Sequence, residues 1–142
     1  MSFEEKGVWT FGVVSLLAYL GYVVVVLAEA RTVPLVDVDY VWPMVISIGV
    51  AVVAYVIGII VNSAASPADA GRKDERDRQI YQRGEYIGQS MVVIGGIVAL
   101  VMAWFELDYF WIANALYLCF VLAALLASAA KLAAYRSGFD GW

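Results

Sequence analysis

The sequence predicts an all-α fold, a four-helix bundle embedded in a membrane as one domain over residues 1–142. Three observations predict it. The chain is 63% hydrophobic and 15% charged, with a mean hydropathy of +0.81. Soluble domains are about 45–50% apolar and about 25% charged, and a soluble fold of this size has too little interior to hide so much apolar side chain. Second, four long stretches carry no charge, and a helix of about 20 apolar residues crosses the ~30 Å hydrocarbon layer. Third, Lys and Arg gather on one side of the four-span topology that these stretches define. Strands of a membrane barrel would be about 10 residues long with alternating polarity. These stretches are longer and do not alternate, and a helix satisfies its own backbone where water is absent.

The first span is placed at 7–28, 22 residues without a charge. Ala28-Glu29-Ala30 resembles a signal-peptidase site. The preceding MSFEEK is net negative, however, and the apolar run exceeds the about 7–15 residues of a signal core, so the span is expected to be retained. The second span is placed at 41–61 within an uncharged stretch of 29 residues. Pro43 falls in its first turn, where a missing N–H costs little. The third and fourth spans are placed at 86–105 and 109–130, followed by a tail at 131–142.

Four spans put both ends of the chain on one side. That side carries Lys6, Arg72, Lys73, Arg76, Arg78, Arg83, Lys131 and Arg136, against Arg31 alone on the other, eight to one. The positive-inside rule then predicts cytoplasmic termini. Tyr40, Trp42, Trp104, Tyr109 and Trp111 would form the outer aromatic belt, and Trp9, Tyr81, Tyr86 and Tyr135 the inner one.

Val38-Asp39-Tyr40-Val41-Trp42 and Leu107-Asp108-Tyr109-Phe110-Trp111 share one pattern, 69 residues apart, each opening an inward-going span. A duplicated hairpin, giving two parallel repeats, accounts for this. So do two unrelated helices starting at one depth, because Asp suits a helix start and Tyr and Trp suit the interface. A paired outer-face site at Asp39 and Asp108 is the less favoured reading, since acids at helix starts are mostly caps.

Between spans two and three lies GRKDERDRQIYQRGEYIG, residues 71–88, with nine of the chain's 22 charges. Ser66, Pro67 and Asp69 have the spacing of an N-cap, N1 and N3, so a charged cytoplasmic helix is predicted over 67–85, running into the third span. Arg72–Glu75 and Asp74–Arg78 would pair along it. From Asp69 to Glu85 five acids balance five bases. A polybasic lipid or nucleic-acid site shows one sign in excess, so nucleic acid is not an expected partner. Mixed charge at helical spacing instead suits a protein-docking face, with Arg72, Asp74, Glu75, Arg76, Asp77 and Arg78 as the contact residues. The plainer alternative is a solvated helix that only sets topology.

Gly84, Gly88, Gly95, Ala99 and Ala103 step by 4, 7, 4 and 4 and share one helix face. Small residues at this spacing let helices approach closely in lipid. Further small-residue faces on spans two and four leave surface for a homo-oligomer. A polar stripe of Arg78, Gln82, Glu85 and Gln89 descends to the membrane edge.

Other chemistries are excluded or unsupported. With no His and a single Cys, Cys119, the chain has no Cys/His zinc site, disulfide framework or histidine catalysis. No P-loop, nucleophile elbow or metal-spaced ligand set is present, and no cofactor is expected. No ionisable residue falls mid-span, where ion paths usually place one. The embedded polar side chains are chiefly Ser47, Gln89 and Asn114.

Lys73-Asp74-Glu75-Arg76-Asp77, followed by Ile80, Arg83-Gly84 and Ile87-Gly88, resembles a group of small bacterial and archaeal four-helix membrane proteins of unknown function. These carry a D-E-R-D/E run just before a transmembrane helix. The resemblance covers about residues 70–105 and implies a bacterial or archaeal plasma membrane, with no activity attached.

The function expected from all this is a non-catalytic assembly, accessory or regulatory component that docks a partner through the 69–85 segment. The alternative is a small oligomeric channel or transporter for an uncharged or hydrophobic solute, lined by Asn114, Ser47 and Gln89.

Overall fold

A computed structural model describes residues 1–137. The described chain is all-helical: α1 Phe3–Glu29, α2 Val41–Ala65, α3 Glu75–Trp104 and α4 Tyr109–Ser137, with a 3-10 turn at Leu35–Asp37. All four α-helices are long and apolar enough to cross a membrane.

The helices stand in a row rather than a closed ring. α1 packs on α2 and on α4, and α4 packs on α3, so the order across the molecule is α2, α1, α4, α3. Burial follows this order. Within the apolar windows 28% of α4 is buried but only 6% of α2. The rest of the apolar surface faces outward, including Leu17, Val24, Ile46, Val53, Ile60, Ile94 and Leu100. In water this surface would be prohibitive; in hydrocarbon it is the ordinary lipid-facing side of a span.

The α3–α4 seam is built on glycine. A Cβ at Gly88 would sit 2.8 Å from the Ala123 carbonyl oxygen and 2.8 Å from Ala127 Cβ, and one at Gly95 would sit 2.6 Å from Cys119 Cβ. Gly84 leaves room for the aliphatic stem of Lys131. The small-residue face thus meets α4 along its first three positions. Ala99 is half-buried and Ala103 is exposed, so the seam opens before the end of α3.

At the end carrying the 30–40 and 105–108 turns, Tyr22, Val26, Val38, Phe110, Tyr117 and Val121 form the apolar core. Val38 brings the 30–40 connection down onto α4, and Tyr40 meets Phe110 edge-on at 5.4 Å. The two apolar-Asp-Tyr-apolar-Trp segments are used differently. Asp108 Oδ1 accepts the Phe110 N–H at 2.9 Å and caps α4, whereas α2 begins after Tyr40 without a side-chain cap. A two-fold relating the hairpins would give the α1–α4 contact an equal mate between α3 and α2, and no such packing is formed among the described residues.

The connection between α2 and α3 departs from expectation. Ser66 does not start a helix; it closes α2, its N–H donating to the Asn62 carbonyl at 3.1 Å. Residues 67–71 form turns, with Gly71 at φ +81°. The helix starts at Glu75, and Asp74 and Asp77 form a reciprocal capping box. The charged helix therefore covers 75–85, not 67–85, and is continuous with the third span. Gly71 explains the shift, because its left-handed φ ends one backbone course and begins another. The fourth helix likewise passes the expected boundary at 130 and continues to Ser137, and the remainder of the 131–142 tail lies outside the described residues.

Candidate functional site

The end of the bundle that carries the Lys and Arg residues has two connected features, an exposed charged ridge and a polar cavity behind it. The ridge is the first turns of α3. Its start is fixed by the capping box: Asp77 N–H donates to Asp74 Oδ1 at 2.7 Å, and Asp74 N–H donates to Asp77 Oδ2 at 3.3 Å. Two neighbouring side chains turn inward to α4. Asp77 Oδ1 accepts the Tyr135 hydroxyl at 2.9 Å, and Arg76 Nη2 donates to the Tyr135 carbonyl at 3.4 Å. Arg72, Glu75 and Arg78 are exposed, and their side chains make no hydrogen bond or ion pair among the described residues.

The six predicted docking residues thus divide into two groups. Asp74, Arg76 and Asp77 hold the ridge in place, while Arg72, Glu75 and Arg78 present its charges. The expected pairs Arg72–Glu75 and Asp74–Arg78 are not formed. Arg72 precedes the helix, and the Asp74 carboxylate is engaged as the N-cap.

Behind the ridge, Lys131 is buried, with 5% of its surface exposed. Its Nζ donates to Glu85 Oε1 at 2.5 Å and lies 4.2 Å from the centroid of the Tyr81 ring. A buried ammonium is tolerated only when a counter-charge and further polar partners replace its water. Glu85 supplies the first and the π-face of Tyr81 the second. Lys73 reaches the same ring at 5.6 Å and pairs with Glu4 at 3.8 Å. The N-terminal turn of α1 is thereby drawn to the segment before α3. By the sequence Lys131 opens the 131–142 tail; its burial is made possible by Gly84, one residue before Glu85, which leaves space for a long side chain opposite.

These groups rim a cavity of about 500 Å³ to which all four helices contribute. Phe11 and Ile59 give it apolar walls, and Asn62, Tyr55 and Ser128 add polar ones. Ser128 Oγ is buried without a hydrogen-bond partner.

Of the three residues considered as a polar lining, Ser47 and Asn114 meet at one tyrosine cluster and Gln89 stands apart. Ser47 Oγ lies 2.9 Å from the Ala18 carbonyl and 2.6 Å from the Tyr117 hydroxyl. Asn114 Oδ1 accepts the Tyr22 hydroxyl at 2.5 Å, while its Nδ2 donates to the Phe110 carbonyl at 2.8 Å. Both belong to a hydrogen-bonded tyrosine cluster joining α1, α2 and α4. Gln89 is exposed on α3, beside Gly88 and Val92. Among the described residues, no three Cys, Asp or Glu side chains converge as metal ligands.

Compared with known proteins, the chain matches no family model, no curated protein and no solved structure.

Proposed function

We propose that this chain is a non-catalytic membrane component that docks a protein partner through Arg72, Glu75 and Arg78. The observation that carries the reading is the division of labour on the ridge. Glu75 and Arg78 on the first turn of α3, and Arg72 just before it, are exposed and make no bond among the described residues, while Asp77 and Arg76 tie that turn to α4 through Tyr135. A helix start already held in place needs no ordering of its backbone on binding, so more of its interaction energy appears as affinity. A segment serving only to set topology needs no such clamp.

The excess of Lys and Arg at this end supports a cytoplasmic ridge with both termini beside it. The likeness of the 70–105 segment to small bacterial and archaeal proteins supports a plasma-membrane setting. The channel or transporter reading has less support, because Ser47 and Asn114 already make their hydrogen bonds within the chain.

The test is a photo-cross-linking residue placed in turn at 75, 78 and 106, in cells of the source organism. The reading predicts one cross-linked protein at 75 and 78 and none at 106. Cross-links to lipid alone at all three positions would refute it.

A further inference from the structure

The polar cavity does not end at its rim. Phe11 and Glu85 also line a second cavity of about 340 Å³, floored by Ala123, Ala124 and Ala127. Phe120 and Ala124 in turn line a third, of about 220 Å³, which reaches Tyr117. Their shared lining residues set the three side by side over α1 and α4, flanked by α2 and α3, which do not pack on each other along their lengths. From Ala127 to Tyr117 the apolar part rises about 15 Å at ~1.5 Å per helical residue. That matches the acyl layer of one leaflet, half of about 30 Å.

The head of the cleft is amphipathic and balanced in charge. Glu4 and Glu85 face Lys73 and Lys131 around Tyr81. A ligand with net charge would leave one of these signs uncompensated in a half-enclosed space. The Lys73–Glu4 pair is loose at 3.8 Å, with 53% and 21% of the two side chains exposed, so both ends remain open to a second partner. Ser128 Oγ is a buried donor with none.

We propose that the cleft holds one phospholipid with a phosphoethanolamine headgroup. Its phosphate accepts from Lys73 and Ser128, its primary ammonium donates to Glu4, and one acyl chain runs along Ala127, Ala124 and Tyr117. The site adjoins the docking ridge but uses none of Arg72, Glu75 and Arg78.

The experiment is native mass spectrometry of the full chain in mild detergent. Phosphatidylethanolamine, phosphatidylglycerol and phosphatidylcholine of identical chains are titrated in separately, with soluble glycerophosphoethanolamine as a fourth probe. The expected result is one phosphatidylethanolamine per chain, bound at least tenfold more tightly than the other three. Lys73→Gln and Ser128→Ala should each weaken it severalfold, and Ala124→Leu, which fills the groove, should abolish it. Lys73 is exposed, so its variant keeps the test valid if either interior substitution disturbs folding. Equal or tighter binding of phosphatidylglycerol or phosphatidylcholine would overturn the proposal. So would no retained lipid, a second copy of the chain in its place, or wild-type binding by Lys73→Gln. Soluble headgroup binding as tightly as the lipid would assign the cavity to a free zwitterion and overturn the role of the groove.

Discussion

At Gly88 a single hydrogen decides whether α3 can lie against α4. A methyl there meets a backbone carbonyl and Ala127 Cβ, both at 2.8 Å, and neither can move without shifting a helix. Gly84 faces only the flexible stem of Lys131, and a Cβ at Gly96 meets nothing within 4 Å. Overpacking a close seam costs about 1–3 kcal/mol. Gly88→Ala should therefore destabilise by about that much and Gly84→Ala by less, whereas Gly96→Ala, unobstructed in mid-helix, should stabilise by up to about 1 kcal/mol, as read by unfolding in an SDS titration. Equal effects at all three would show that the seam is not formed as described. The spacing of small residues was enough to find this face, because close approach in lipid depends on side-chain size at a fixed period. It was not enough to find its end. Ala103 keeps the period and is exposed, since period alone does not say where two helices diverge. Lys131 shows the opposite failure. Its type argues for a surface position, and only the space at Gly84 and the charge of Glu85, on another helix, make its burial possible.

The ends of α3 carry the same lesson for the element. Two N-cap patterns compete before it, Ser66-Pro67-x-Asp69 and Asp74-x-x-Asp77. The second wins, because Ser66 is drawn into the end of α2 and Gly71 takes a left-handed φ between them. The presence of a long helix running from the charged segment into the span was legible from apolar length and charge spacing. Its start was not, because both candidates satisfy the same local rule and tertiary context chooses between them. Asp74→Ala should destabilise the protein by about 1 kcal/mol and speed hydrogen exchange at residues 75–78. At the other end Glu106 has φ +52°, and the Leu107 N–H bonds back to the Met102 carbonyl at 3.1 Å, as in a helix stop that favours glycine. Left-handed backbone costs a residue with a Cβ roughly 1–2 kcal/mol. Glu106→Gly should accordingly raise stability by up to about 1 kcal/mol, the opposite sign to the change at Asp74.

For the whole molecule, four apolar stretches and their short connections were sufficient to predict four helices. They did not predict the order of packing. A row of α2, α1, α4 and α3 leaves two poorly covered flanks and a cleft between them, where a closed bundle would bury both. That order depends on Gly12 against Ser128, Gly88 against Ala127 and the Tyr22–Asn114 bond, contacts that no local pattern encodes. The charged ridge stands at one end of this row, and its exposed Arg72, Glu75 and Arg78 side chains make no hydrogen bond or ion pair among the described residues. The most direct test is native mass spectrometry of the chain captured from its own membranes, compared with a variant carrying Ala at 72, 75 and 78. The account predicts a second protein in fixed stoichiometry with the wild-type chain and its loss from the variant, with the folded bundle intact. A monomer or homo-oligomer without a second protein, or a partner that survives the triple substitution, would contradict it.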